Sequence, residues 1–305
     1  MGAPHGLAII SMASLHDIKG HIGALLVVPV WGSTFVSSKV LLNVGLEPAE
    51  LFLIRFIMAY VCICILCHGK LFADNLKDEL TLMGLGVMGG SLYFLLENIA
   101  LMYSTSANVC ILVCSTPLVT AILLSFFYKS ERLSLSQTLG SLMAFVGMSL
   151  VVLNGQLFLH LNPIGDALAF GASVSWAFYS LFMRRIMSRY HTDFITRKVF
   201  AYGLLTIIPY FIFVKPMNVS VEQLSSPVVI LNLLFLGLVA STGAYLLWNW
   251  VMKQLGAVKS SNYIYLQPLV TIVLAYYVLG ERITWMAMAG AVILIAGMMA
   301  ALKKS

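Results

Sequence analysis

The same ordered set of residues occurs twice in this chain, once within residues 86–151 and again within residues 237–301. The first copy contains Gly86, Asn98, Pro117-Leu118-Val119-Thr120, Glu131-Arg132, Gly140 and Gly147. The second copy contains Gly237, Asn249, Pro268-Leu269-Val270-Thr271, Glu281-Arg282, Gly290 and Gly297. Their spacing differs by one residue, inserted or lost after the Pro-Leu-Val-Thr run. A duplicated unit in apolar sequence predicts two similar halves that can move against each other about a site at their interface.

The composition excludes a soluble globule. Of the 305 residues, 60% are hydrophobic and 10% are charged, whereas an average soluble domain is about 25% charged. The apolar stretches reach about 20 residues, the length that crosses the hydrocarbon core of a bilayer. We therefore predict an all-α integral membrane protein with ten transmembrane helices, surrounded by the lipid bilayer. The predicted spans are about 21–42, 49–68, 80–103, 105–127, 134–154, 163–187, 196–214, 228–251, 258–278 and 283–302.

Lysine and arginine lie mostly on one side of these spans, which sets the orientation. The side that carries the N-terminus holds Lys19, Lys70, Lys77, Lys129, Arg132, Arg184, Arg185, Arg189, Arg197, Lys198, Lys253, Lys259, Lys303 and Lys304. The opposite side holds Lys215 and Arg282. Both termini are therefore predicted to be cytoplasmic, in a multi-pass protein of a bacterial-type inner membrane.

An odd number of spans in each half makes the second half enter the membrane from the opposite side, so the two repeats are predicted to be inverted. The expected division is a cytoplasmic segment (1–20), a first five-helix repeat (21–154), a second five-helix repeat (155–302) and a cytoplasmic C-terminus (303–305).

Several motifs within this pattern resemble one known family. They are the paired Pro-Leu-Val-Thr runs, the Leu279-Gly280-Glu281-Arg282 turn, the Trp31-Gly32-Ser33-Thr34 opening and Arg55-Phe56. Together with the ten spans in two halves, they resemble the EamA branch of the drug/metabolite transporter superfamily over about residues 20–302. Lys129-Ser130-Glu131 departs from the family pattern, which has Gly before Glu. The resemblance implies a secondary carrier that exports amino acids or related metabolites, and it does not supply the substrate.

Three ionisable side chains fall within the spans at a similar depth. They are Lys39, Arg55 and Glu97, and a charge at the centre of a bilayer costs about 2.5–3.5 kcal/mol on insertion scales. We predict an Arg55–Glu97 pair with Lys39 nearby, at the outer mouth of a central cavity. The functional interpretation is a carboxylate-attracting site in which Glu97 couples transport to protons. The alternative is a structural ion pair, or side chains that extend to the interface.

Asn98 and Asn249 occupy matching positions in the two copies. An amide at membrane depth must find a polar partner. The pair therefore predicts either substrate hydrogen bonding near the axis that relates the halves or interhelical bonds that hold the halves together.

Further candidates are aromatic or lie at prolines. The side chains that could line the cavity are Trp31, Trp176, Tyr179, Trp248, Tyr263, Tyr265 and Gln267, although aromatic residues also pack structurally. Pro117 and Pro268 each remove a helical hydrogen bond and favour a kink, which suits either gating or static packing.

The sequence carries no signature of an enzyme or of nucleotide-driven transport. It has no metalloprotease motif and no P-loop. The cysteines are Cys62, Cys64, Cys67, Cys110 and Cys114, all in apolar segments, and they predict neither a disulfide nor a metal site. We expect no cofactor and no nucleic-acid partner, with a small molecule and, for coupling, protons as candidate partners. The oligomeric state is left open.

The function that fits these patterns is secondary-active transport of a small polar metabolite, such as an amino acid, by alternating access. Two alternatives are a carrier for a drug, nucleoside or sugar, and a membrane protein with a regulatory or assembly role.

Overall fold

A computed structural model describes residues 5–67, 69–128, 134–153, 162–279 and 284–302, with side chains from residue 18 onward. All regular secondary structure in these ranges is helical. The helices are α1 (His5–Asn43), α2 (Pro48–Leu66), α3 (Leu76–Tyr103), α4 (Ser106–Val113), α5 (Thr116–Phe127), α6 (Leu135–Leu153), α7 (Pro163–Ile186), α8 (Thr192–Phe213), α9 (Val221–Ser225), α10 (Pro227–Leu255), α11 (Ala257–Ser261), α12 (Gln267–Leu279) and α13 (Trp285–Leu302). The paired Glu131-Arg132 and Gly280-Glu281-Arg282 segments lie outside the described residues.

Within the described residues, five helices are long and apolar enough to cross a membrane. They are Ile18–Asn43 within α1, then α2, α3, α8 and α10. Shorter apolar helices cover Thr116–Phe127, Leu135–Leu150 and Met288–Ala301. An all-helical protein with several membrane-spanning helices is therefore confirmed.

Two long helices change their hydrogen-bonding pattern midway. Val87–Ser91 in α3 and Phe235–Ala244 in α10 form π-helical turns, and Gly90 leaves the helical region at φ −118° and ψ −105°. The two turns occupy matching positions in the duplication. A π turn frees backbone carbonyls from the regular ladder, so that side chains of neighbouring helices can bond them.

The duplicated prolines begin helices and do not kink them from within. A turn at Cys114–Ser115 separates α4 from α5, and Pro117 is the second residue of α5. In the second half, a 3₁₀ segment (Asn262–Leu266) precedes α12, of which Pro268 is the second residue. Proline suits this place because the first N–H groups of a helix have no helical acceptor.

Equivalent helices of the two halves run antiparallel. Glu47, at the start of α2, pairs with Lys215, beyond the end of α8, at 2.8 Å. At the opposite end, Arg197 of α8 donates to the Cys67 carbonyl, just after α2, at 3.1 Å. This order of contacts fixes the antiparallel direction.

Helices α6 and α13 are also antiparallel and cross at the duplicated glycines. A Cβ on Gly140 would lie 2.8 Å from the Gly297 carbonyl, and one on Gly147 would lie 2.8 Å from the Gly290 carbonyl. Only hydrogen at these positions lets the two backbones touch. The pair packs away from the cavity described below.

Candidate functional site

Side chains of both halves line a partly open cavity in the described part of the chain. Its lining residues are Trp31, Thr34, Phe35, Arg55, Tyr93, Phe94, Glu97, Val113, Thr116, Trp176, Ile264 and Gln267. Helices α1 to α5 supply most of them, and α7, the 3₁₀ segment and α12 supply the rest. A concave, mostly apolar chamber with a few polar groups is typical of a small-molecule site.

The duplication places two of the polar lining residues symmetrically. Thr116 precedes Pro117 and Gln267 precedes Pro268, so each lies in the first turn of a helix that resumes after an irregular segment. Irregular backbone at membrane depth is tolerated where it lines a cavity.

Arg55 is almost completely buried, with 1% of its surface exposed. Its Nε donates to the Ser241 hydroxyl at 2.9 Å, and its guanidinium lies 4.4 Å from the centre of the Phe94 ring. Its Nη1 has no hydrogen-bond partner. Ser241 lies in the π turn of α10, so a residue of the second half fixes the cation of the first half.

Glu97 shares the cavity with Arg55 and is also buried. The Tyr93 hydroxyl, one turn earlier on α3, lies within hydrogen-bonding reach of the Glu97 carboxylate. Among the ion pairs of the described residues, none joins Glu97 directly to Arg55. The structure therefore brings the acid and the cation into one chamber but not into contact.

Lys39 does not line this cavity. Its ammonium donates to the carbonyls of Leu101 and, at 3.2 Å, Ser104, at the C-terminal end of α3. A lysine there satisfies carbonyls that have no helical donor and complements the helix dipole. The structure thus places Lys39 at a helix end.

Trp31 in α1 and Trp176 in α7, the first helices of the two repeats, both line the cavity, with ring centres 5.3 Å apart. Trp31 Nε1 donates to the Ala240 carbonyl, in the π turn of α10, at 3.2 Å. The matching carbonyl in α3 belongs to Gly89, and it accepts from the Tyr245 hydroxyl at 2.7 Å. Trp176 Nε1 has no hydrogen-bond partner among the described residues.

Both predicted asparagines lie outside the lining. Asn249 accepts from the Tyr179 hydroxyl and donates to Thr196 at 2.8 Å, so α10, α7 and α8 are joined through one amide. Asn98 donates to the Pro48 carbonyl at 3.3 Å, which joins α3 to α2. These contacts favour the interhelical interpretation.

The remaining candidates also lie outside the cavity lining. Trp248 packs on Trp31 with ring centres 5.0 Å apart, and its Nε1 has no partner. Tyr263 forms a hydrogen bond with the His21 ring. It lies near the start of the 3₁₀ segment, whereas Gln267 follows the end of that segment. Tyr265, next to the lining residue Ile264, is fully buried.

Tyr93, Phe94 and Ser241 belong to the site but are not among the sequence candidates. Tyr93 could have been found, because a residue four positions before Glu97 shares its helix face. Ser241 carries no such signal, because its role depends on a contact across 186 residues.

A second cavity lies at the ends of α2 and α8, where Arg189, His191, Arg197 and Lys70 contribute to its walls. Its charges are largely satisfied by the protein: Arg197 bonds backbone carbonyls, and Arg189 pairs with Asp78 at 2.8 Å. Burial and the Asp78 carboxylate raise the pKa of the nearby Tyr190 hydroxyl. This cavity therefore offers few free donors or acceptors.

Within the described ranges, no cluster of three His, Cys, Asp or Glu side chains is placed to hold a metal ion. The duplication, the paired irregular helices and the shared chamber point to a family of two-repeat membrane proteins. A family model described as "EamA-like transporter family" matches residues 18–153 and again residues 163–302. The chain belongs to the EamA-like transporter family.

Relatives within this family are similar over almost their whole length. The chain is 27% identical to an "Uncharacterized transporter" of Archaeoglobus fulgidus, covering 92% of this chain and 96% of the relative. It is 29% identical to a "Probable amino-acid metabolite efflux pump" of Escherichia coli K12, covering 92% and 93%. A protein of Salmonella typhimurium with the same name is 30% identical, covering 90% and 92%.

A crystal structure with 20% sequence identity has the same fold, with a TM-score of 0.69 over 94% of this chain and 97% of that chain. EamA family membership makes this chain a multi-pass membrane transporter, and the family is one of transporters rather than enzymes.

Proposed function

We propose that this EamA protein is a secondary-active transporter that exports a small polar metabolite, such as an amino acid, by alternating access. The observation that carries the proposal is the chamber between the repeats. Arg55 and Glu97 come from the first repeat, and Trp176 and Gln267 come from the second. A site built from both halves changes when the halves move against each other, which alternating access requires.

The proposed architecture is ten membrane spans in two inverted five-helix repeats. The antiparallel pairs α2/α8 and α6/α13 support the inversion, because each joins equivalent helices of the two copies. Spans broken near Pro117 and Pro268 are divided between shorter helices. We place the protein in the inner membrane with cytoplasmic termini, on the basis of its Lys and Arg distribution.

Substrate contact is assigned to the lining residues Trp31, Trp176 and Gln267. Asn98, Asn249, Tyr179, Trp248 and Tyr263 support them from behind. Thr116-Pro117 and Gln267-Pro268 are the proposed gating points, because a helix that resumes beside the cavity can reorient with little loss of backbone hydrogen bonding.

Glu97 is the proposed proton-coupling group. It is buried in the chamber, and Arg55 acts on it electrostatically without forming a salt bridge. An acid that is not committed to a direct ion pair can gain and lose a proton as the surroundings change during the transport cycle.

The test is efflux from proteoliposomes loaded with a pool of labelled amino acids, with and without an imposed proton gradient. Specific efflux that the gradient stimulates is the expected result. Absence of efflux for every amino acid, from protein that is folded, would contradict the proposal.

A further inference from the structure

We propose that the chamber holds its cargo by a carboxylate, bound between Arg55 Nη1 and Trp176 Nε1. The inference rests on the proposed transport function. It narrows the cargo to monocarboxylates with an apolar body and makes the carboxylate, not an amino group, the main determinant of binding.

Two of the side chains that line the chamber have buried polar atoms without a hydrogen-bond partner. In the described part of the chain such atoms belong to Ser38, Arg55, Asn98, Ser104, Thr120, Trp176, Trp248 and Tyr265. Only Arg55 and Trp176 among them also line the chamber. A buried donor without an acceptor costs about 1–3 kcal/mol, so its occurrence at a cavity wall points to a ligand.

Both of these unpartnered atoms are donors. The chamber's own acceptor oxygens, on Glu97 and Gln267, are not hydrogen-bonded to either donor. A ligand that completes both donors must therefore bring at least two acceptor positions. A carboxylate provides them on two oxygens and matches the charge of a guanidinium.

Arg55 and Trp176 border the same aromatic wall, which Phe94 and Tyr93 form. The Arg55 guanidinium lies 4.4 Å from the Phe94 ring centre, Phe94 lies 4.9 Å from Tyr93, and Tyr93 lies 4.9 Å from Trp176. Arg55 Nε donates to the Ser241 hydroxyl at 2.9 Å, which orients the guanidinium and leaves Nη1 for the ligand. Ser241 is accordingly a positioning residue.

The two tryptophans of the chamber differ in the partner of the indole N–H. Trp31 Nε1 is bonded to the Ala240 carbonyl. The matching carbonyl of Gly89 accepts from the Tyr245 hydroxyl, and Trp176 Nε1 has no partner among the described residues.

The surroundings also limit the rest of the ligand. One cation faces one acid, Glu97, so a dianion such as a phosphate monoester would be repelled by the second charge. Trp31, Phe35 and Phe94 offer apolar surface for the remainder of the molecule. A monocarboxylate with an apolar or aromatic body fits both conditions.

The test compares three probes that share one ring: L-phenylalanine, 3-phenylpropanoate and phenethylamine. Binding to the purified full-length protein is measured by calorimetry. The two acids are expected to bind, and phenethylamine at least about tenfold more weakly, because it offers no acceptor to the charged donor.

Variants assign the interaction to the two donors. Arg55→Gln should weaken both acids about tenfold or more, because it removes the positive charge. Trp176→Phe should weaken both acids about three- to tenfold without changing the affinity for phenethylamine. Thr120→Val is the control, because it removes a buried, unpartnered hydroxyl that lies outside the lining, and it should change affinity less than about twofold. If Arg55→Gln does not give folded protein, the comparison of Trp176→Phe with Thr120→Val decides alone.

The proposal is overturned if the wild type binds neither acid, if phenethylamine binds as well as the acids, or if Trp176→Phe and Thr120→Val behave alike. If the protein exports amino acids although one of these outcomes is found, the carboxylate site is wrong and the transport function is still supported. Binding of 3-phenylpropanoate without efflux of any amino acid would overturn the proposed export of amino acids and leave the carboxylate site standing.

Discussion

Arg55 and Glu97 show how a buried charge can be kept without a direct ion pair. Arg55 Nε donates a hydrogen bond to Ser241, and the guanidinium lies over the Phe94 ring. Glu97 has the Tyr93 hydroxyl within hydrogen-bonding reach. Removing one member of a tight buried pair strands the other charge and destabilises a protein strongly. Because the two groups here have separate partners, each can be substituted with less effect on folding.

Glu97→Gln is therefore expected to give folded protein whose efflux no longer responds to a proton gradient. The amide keeps the size and most hydrogen bonds of the acid but cannot exchange a proton. Efflux from proteoliposomes across a range of imposed pH differences measures this. Glu50→Gln is the control, because Glu50 is equally buried but bonds the Asn218 N–H away from the chamber. Retained pH dependence in Glu97→Gln would contradict the coupling role.

Asn249→Ala should lower stability more than Asn98→Ala does. The Asn249 amide satisfies Tyr179 and Thr196, whereas Asn98 makes one bond of 3.3 Å. Loss of a buried hydrogen-bond partner costs about 1–3 kcal/mol. Thermal unfolding of the purified variants gives the comparison. A wild-type unfolding midpoint for Asn249→Ala, together with lost ligand binding, would instead indicate direct substrate contact.

At the scale of elements, the π turns of α3 and α10 are two of the places where the repeats are joined. Each turn presents a carbonyl to a side chain of the other half: Gly89 to Tyr245, and Ala240 to Trp31. A regular α-helix would bond those carbonyls internally. The irregularity therefore supplies acceptors at membrane depth, where no water is present to provide them.

Gly89→Ala is expected to destabilise the protein by about 1–3 kcal/mol or more, because the added methyl overpacks a fixed site. A Cβ there would lie 2.6 Å from the Tyr245 hydroxyl and closer still to the Tyr179 ring. Gly243→Ala, in the other π turn, is the control, since its nearest neighbour would lie at 3.6 Å. The measurement is the thermal unfolding midpoint in detergent, and equal midpoints for the two variants would show that the Gly89 contact can relax.

For the whole molecule, antiparallel packing of equivalent helices determines which loops meet at each end. Glu47 meets Lys215 at one end, and Arg189 meets Asp78 at the other. The first pair is half exposed and contributes little to stability. The Glu47–Lys215 pair does show the topology, because it places one residue of each repeat on the same side of the membrane.

Single cysteines at Lys215 and Lys70 are expected to lie on opposite sides of the membrane. Both lysine side chains are about half exposed, at 50% and 55%, so a membrane-impermeant maleimide can reach either position. In a variant whose five native cysteines are replaced, Lys215→Cys should react in intact cells. Lys70→Cys should react only after permeabilisation. Labelling of both in intact cells would contradict the antiparallel arrangement, and the reverse order would contradict cytoplasmic termini.

The sequence alone determined the apolar spans, the duplication and the presence of two ionisable residues, Arg55 and Glu97, within the spans. Hydropathy and residue spacing act along the chain, so they predicted the helical membrane protein and its duplication, and they selected Arg55, Glu97, Trp31, Trp176 and Gln267, which meet in one chamber. What the tertiary structure decided is which partner each polar group has. Lys39 caps α3, Asn249 joins three helices, and Trp176 Nε1 remains free while Trp31 Nε1 does not. The physical reason is that the partner of a buried group depends on which atoms the fold brings close in space. For Arg55, that partner is 186 residues away along the chain.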